Sequence, residues 1–128
     1  MKPAVITTKD EKYPYIHIQF IGDLVTERYE DFKTGLMQAS DMIEKTANEA
    51  NKKVKIILDL TEFSGNYSLP SLNLVVDFAK SNVPYVEKTA SYGGSDKVNM
   101  AGEIAVALSG RDNIKICKTK EEAESFVL

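Results

Sequence analysis

Apolar and polar residues alternate with a period of two in several short stretches of the chain, which marks a strand with one buried face. Ile16, Ile18 and Phe20 alternate with Tyr15, His17 and Gln19, and Val54, Ile56, Leu58 and Leu60 with Lys55, Ile57 and Asp59. Ala90 and Tyr92 alternate with Thr89 and Ser91, and Ile114 and Ile116 with Asn113, Lys115 and Cys117. With the β-branched run near the start, this predicts five strands over residues 4–8, 15–22, 54–60, 86–92 and 113–118. The polar link from Lys9 to Pro14 suits a hairpin between the first two. Strands buried on both faces read as continuous apolar runs. Here one face is apolar, so the helices are expected mainly on one side of the sheet. Lys88 falls on the apolar register and is read as the irregular start of its strand.

Between the strands the period changes to three and four. Tyr29, Phe32, Leu36, Ala39, Ile43, Ala47 and Ala50 form one stripe of a helix over 27–50, with Thr26 as N-cap and Glu27, Glu30 and Asp31 at the positive end of its dipole. Gly35 inside that helix implies close approach of a neighbour. A second helix over 69–82 has Ser68 as cap, Pro70 in its first turn and Pro84 beyond its end. A third is capped by Ser95 and stopped by Gly110, and a short fourth follows the capping box Thr119-Lys120-Glu121-Glu122. Strands alternating with helices build βαβ crossovers and parallel pairing. The predicted architecture is α/β: a mixed five-stranded sheet with an N-terminal antiparallel hairpin, its remaining strands parallel, and four helices mainly on one face.

Composition narrows the function more than the fold. The 128 residues, without repeat or linker, suit one domain over 1–128. Sixteen basic against nineteen acidic residues leave a net charge of -3, which gives no electrostatic footprint for nucleic acid or an anionic membrane. No apolar run is long enough for a transmembrane segment, and the start lacks a signal-peptide pattern. The lone Cys117 cannot form an intramolecular disulfide, and the expected setting is cytoplasmic.

Catalytic chemistry finds little support. His17 is the only histidine, reads as a solvated mid-strand residue, and has no Cys, Ser or acid at a spacing that would make a nucleophilic or metal site. Asp59 and Glu62 read as turn-capping carboxylates. No catalytic residue, metal or cofactor is expected. Gly93, Gly94 and Ser95 form a strand-to-helix turn with Lys97 nearby. It is a candidate anion site, although a tight turn capped by Ser95 is the stronger reading and the phosphate-loop and dinucleotide spacings are absent. On the second helix Leu72, Val75, Val76, Ala79 and Val83 take the core side, while Leu74 and Phe78 form an i,i+4 pair on nearly the opposite side. An exposed apolar pair framed by Asp77 and Lys80 suggests a contact surface, to which Tyr67 in the preceding segment adds.

Several segments carry a family resemblance. Ile56-Ile57-Leu58-Asp59-Leu60-Thr61, Pro84-Tyr85-Val86-Glu87-Lys88-Thr89-Ala90-Ser91-Tyr92-Gly93, the glycine-ended helix Val106 to Gly110, and Arg111-Asp112-Asn113-Ile114-Lys115-Ile116-Cys117-Lys118-Thr119-Lys120-Glu121-Glu122-Ala123 resemble the SpoIIAA-like (STAS/SEC14-like) family of small bacterial proteins. The element order resembles that of the anti-sigma-factor antagonists and related STAS domains. The resemblance implies a non-catalytic interaction module that binds a protein partner or forms a homodimer. Its SEC14-like side implies a small apolar or lipid-like ligand between helices and sheet. Antagonists of this kind carry an Asp-Ser-Ser-Gly type sequence at the start of the second helix, where a serine is phosphorylated. This chain has Glu62-Phe63-Ser64-Gly65-Asn66-Tyr67-Ser68-Leu69-Pro70 instead. Ser64 and Ser68 are therefore candidate phosphorylation sites that lack the motif, and Ser68 also serves as a cap.

Overall fold

The computed structural model describes residues 3–9, 15–24 and 26–128, with the side chains of 24 and 26 left out. Its central sheet has the strand order β1-β2-β4-β6-β7. The strands are β1 (Val5–Lys9), β2 (Ile16–Phe20), β4 (Val54–Asp59), β6 (Val86–Tyr92) and β7 (Ile114–Ile116). Strand β1 pairs antiparallel with β2, and the other pairings are parallel. The mixed sheet follows the sequence pattern. The link over 10–14 lies outside the described residues.

A second, two-stranded parallel sheet joins β3 (Gly22–Leu24) to β5 (Phe63–Tyr67). It was not anticipated, because Gly22 and Gly65 both have positive φ and neither segment alternates. Gly22 N donates to Glu62 O, which carries the pairing out of the main sheet.

Helix α1 (Tyr29–Ala50) follows a 3-10 turn at Thr26–Arg28, so it starts two residues later than expected. The cap expected from the Thr26 side chain lies outside the described residues. Its stripe buries Phe32, Leu36, Ala39, Ile43 and Ala47. Gly35 lies against β1, where a Cβ would come within 2.6 Å of the Val5 Cβ. The close neighbour that Gly35 implied is therefore a strand side chain.

Helices α2 (Leu69–Ser81), α3 (Asp96–Ser109) and α4 (Lys120–Val127) begin at the predicted caps. Ser68, Ser95 and Thr119 each accept a backbone N–H from the third residue on. Gly110 closes α3 with φ 71°, the left-handed conformation that favours glycine.

Two cores flank the sheet. The larger joins Ile16, Ile18, Phe20, Ile56 and Leu60 to α1 and includes Val98 of α3, with Val75 and Phe78 of α2 packed against it. The smaller gathers Tyr15, Ile57, Ala90 and Cys117 under Ala123 and Val127 of α4. The β4–β6 register sets Thr89 opposite Ile56, Ala90 opposite Ile57 and Ser91 opposite Leu58. This corrects the sequence reading of β6. Thr89 and Ser91 lie on the side of the larger core, whereas Ala90 and Tyr92 pack with the α4 core. Lys88 belongs to the α4 side as well. Its Nζ donates to Phe126 O at 3.1 Å and stands over the Phe126 ring. The register shift that sets it there falls just before it, between the Val54–Val86 and Lys55–Lys88 pairs, the irregular strand start that the sequence suggested.

Candidate functional site

Helices α2 and α3 do not close fully over the sheet. The wall from α3 consists of small residues, Ala101, Gly102 and Ala105, while α2 contributes Leu72, Val75, Phe78 and Ala79. Short side chains facing long ones leave voids that packing does not remove. Two adjoining cavities result, of about 80 and about 100 Å³. Both are bordered by Phe20, Leu58, Leu60 and Val75. The first extends toward Phe63 and Tyr67 at the start of α2. The second extends under the end of α2 toward β7. Such walls suit an aliphatic or aromatic guest, and although neither void alone reaches the ~150 Å³ of a dry apolar cavity that takes up benzene, the two adjoining ones together do.

The second cavity has a polar end. Asn82, Thr89, Ser91 and Arg111 all line it. The residue Asn82 is 2% exposed, and its Nδ2 has no hydrogen-bond partner. Arg111 is half-buried, with Nε donating to Asn113 Oδ1 at 2.9 Å and Nη2 to Thr89 Oγ1 at 3.0 Å. Asn113 is tied to the carbonyls of Val86 and Glu87. Val86 N in turn donates to Asn82 O, so both polar groups are anchored at the start of β6. Burial holds the Arg111 pKa below its ordinary value, against the opposing charge of Asp112. No carboxylate of the described residues lies within ion-pair distance of this guanidinium.

A second polar group occupies the α4 side of the sheet. His17 Nε2 lies 3.8 Å from Asp59 Oδ2, too far for a hydrogen bond, and is buried without a partner. His17 is thus half-buried, where the sequence suggested a solvated ring. Desolvation lowers its pKa although Asp59 opposes this, so the ring is neutral at neutral pH. Asp59 accepts from Thr61 N at 2.9 Å and Thr61 Oγ1 at 2.7 Å, and Gln19 Nε2 approaches at 3.4 Å. Burial acts to raise the Asp59 pKa, but these bonds and one from Tyr92 bring it below the usual carboxylate value. A carboxylate engaged in this way fastens the β4 turn and makes a poor general base. Among the described residues no group of three or more His, Cys, Asp or Glu could hold a metal ion.

The residues singled out on α2 do not stand where the sequence put them. Leu74 and Phe78 are half-buried and packed against the larger core. With Asp77 they line an open groove of about 300 Å³ between α1 and α2, facing Lys33, Leu36, Met37 and Asp41. Val83, expected inside, is exposed because the chain has left the helix there. Tyr67 lies at the end of β5 and lines the first cavity. Ser68 Oγ accepts from Ser71 N and shares a hydrogen bond with Ser71 Oγ, while exposed Ser64 Oγ donates to Asp23 Oδ1 and Gly22 O. At the Gly93-Gly94-Ser95 turn, a Cβ on Gly93 would meet Thr61 and one on Gly94 would meet Asn99 and Val98. These glycines serve close packing of the turn, and Ser95 is spent on the cap.

Asn82, Arg111 and the small residues of α3 were missed as site residues. Asn82 looked like a helix end and Arg111 fell in the link between the third helix and the strand over 113–118, and nothing in their spacing links them. The row Met100, Ile104 and Leu108 was missed too, although its i, i+4, i+8 spacing was readable. It lies on the outside of α3 at 65%, 47% and 56% exposure.

No protein-family model and no curated protein matches this sequence. Solved structures do match in fold. An uncharacterised DUF3478-family protein with a SpoIIAA-like fold from Shewanella loihica PV-4 superposes with a TM-score of 0.64 at 16% identity, covering 98% of this chain and 93% of that one. The unphosphorylated anti-sigma factor antagonist SpoIIAA matches with a TM-score of 0.60 at 16% identity, covering 95% and 96%. SLC26A9 matches with a TM-score of 0.62 at 12% identity over 89% of this chain, which spans only 20% of that protein. Strand order, helix placement and these superpositions together give this chain the SpoIIAA-like fold of STAS domains.

Proposed function

We propose that this chain is a non-catalytic interaction module that binds a protein partner, or a second copy of itself, through α2. The observation that carries the reading is the open groove between α1 and α2. Leu36, Leu74 and Phe78 offer it apolar side chains, Lys33, Asp41 and Asp77 supply charge, and Met37 is an exposed apolar residue at its side. An apolar groove with a charged rim suits an amphipathic helix laid along it. The likeness in fold to an anti-sigma factor antagonist, a protein named for its action on another protein, supports the same reading. Met37→Glu is the informative variant, because Met37 is 60% exposed whereas Phe78→Glu would also damage the core. Sedimentation and pull-down with the wild-type chain should reveal self-association or a partner that Met37→Glu weakens. A monomer that captures nothing, or binding indifferent to Met37→Glu, refutes the groove.

A second reading is favoured by the cavities between α2, α3 and the sheet: retention of a small apolar or lipid-like ligand. Native mass spectrometry of freshly purified chain should then show an added mass, lost in Ala105→Phe, since Ala105 borders both voids. A bare chain mass that persists after incubation with apolar ligands counts against it.

A further inference from the structure

The cavity beneath α2 and α3 differs at its two ends. Most of its wall is aliphatic or aromatic, and such a wall discriminates poorly among apolar guests. At the start of β6, however, it holds a buried amide donor without a hydrogen-bond partner and a guanidinium with no carboxylate of the described residues within ion-pair distance. Both are costly features. A buried unpaired N–H forfeits the hydrogen bond it had in water, and a half-buried cation loses hydration that no carboxylate restores.

The chemistry of the two groups agrees. A guanidinium has five N–H donors, of which Asn113 and Thr89 engage two, so three remain. Those two bonds also hold the planar fork in place, and a held fork suits the two oxygens of a carboxylate. Asn82 Nδ2 adds a neutral donor in the same cavity. The unpaired groups, Asn82 Nδ2 and the remaining guanidinium N–H, are donors, and the complementary guest is an acceptor-rich anion attached to an apolar body.

We infer that the Asn82–Arg111 end of this cavity is a headgroup site for a single-chain aliphatic carboxylate, with the carboxylate on Arg111 Nη1 and Asn82 Nδ2 and the tail lying between α2 and α3. This rests on the cavity reading above and adds the class of ligand to it. The site lies at the amino end of β6, whereas the loops following β4 and β6, with Asp59, Thr61 and Gly93, lie at the opposite end of the sheet. It is therefore separate from the polar group around Asp59. The half-buried Arg111 at the rim gives the headgroup contact with water, and the tail meets Val75, Phe78 and Ala105 inside.

Calorimetric titration of the full chain with octanoate and, separately, with 1-octanol tests the assignment. Octanoate should bind the wild type at least about tenfold more tightly, because hydrogen bonds to a charged group exceed neutral ones by that order. Arg111→Gln should abolish this preference by weakening octanoate far more than octanol. Asn82→Leu should weaken octanoate and raise the melting temperature of the empty protein, whereas an asparagine with only a structural task would lower it when replaced. Equal affinity of the wild type for the two ligands, or an octanoate preference that survives Arg111→Gln, overturns the headgroup site while leaving the cavity standing. If neither ligand binds the wild type, the cavity reading falls with it.

Discussion

Single residues account for much of the local geometry, and they do so by space and by charge. Gly35 shows the first. Alanine is favoured over glycine in a helix by about 1 kcal/mol, yet a Cβ here would sit 2.6 Å from that of Val5. Gly35→Ala should therefore destabilise the protein by about 1–3 kcal/mol, as overpacked cores do, and urea denaturation would measure it. His17 and Asp59 show the second. Both have folded pKa values below their ordinary ones, His17 chiefly through desolvation and Asp59 through hydrogen bonds that outweigh desolvation. In each case the unfolded chain binds protons more readily, so stability is greatest above the unfolded pKa and declines as pH falls through the folded one. The decline due to His17 begins below the reference value of 6.5 and that due to Asp59 below 3.8. His17→Gln should flatten the first section of a stability–pH curve and leave the second in place.

At the scale of elements, the short helix α4 has an effect beyond its eight residues. It covers Ile57 and Cys117 on the face that alternation left polar, together with Ala90, which the register of β6 brings to that face. Burial raises the Cys117 thiol above its usual pKa, so the thiolate is scarce as well as covered. The native protein should react slowly with an aromatic disulfide reagent. Ala123→Glu, which places a charge in the centre of this contact, should expose the thiol and speed its reaction, with circular dichroism showing that the main sheet persists. On the other face, α2 and α3 each begin at a serine cap on the loop side of the sheet, and their packing leaves both the cavities and the outer row of Met100, Ile104 and Leu108.

For the molecule as a whole, the parallel order β2-β4-β6-β7 places the crossover helices α1, α2 and α3 on one side of the sheet, while α4, which follows β7, covers the other. No helix of the described residues is long and apolar enough to cross a membrane. Binding of a partner in the α1–α2 groove and of a carboxylate under α2 would both act on one helix, whose Phe78 lines the groove and the cavity. The two events should be linked. Octanoate at saturation should change the affinity for any partner captured through the groove, and that partner should change octanoate affinity by the same factor.

Helix caps, strand positions and the antiparallel start of the sheet were legible because they depend on neighbours in sequence. Ser68, Ser95 and Thr119 cap whatever follows them, and Gly110 ends α3 by its own backbone freedom. Alternation also located the main apolar face of β2 and β4. It misread β6, because a strand's period gives two faces without saying which one meets the apolar face of its neighbour; that depends on register, and Glu87 is skipped between the Val54–Val86 and Lys55–Lys88 pairs. The parallel pair β3–β5 and the burial of Leu74 and Phe78 against the core were equally hidden. So was the placement of Asn82 and Arg111, 29 positions apart in the chain, along the wall of one cavity. Contacts of that range depend on how helices of particular bulk pack across a sheet. The sequence by itself determined the five strands of the main sheet, the four helices and their order, and tertiary packing alone decided where the β3–β5 pair, a groove, a cavity and an unpaired donor would stand.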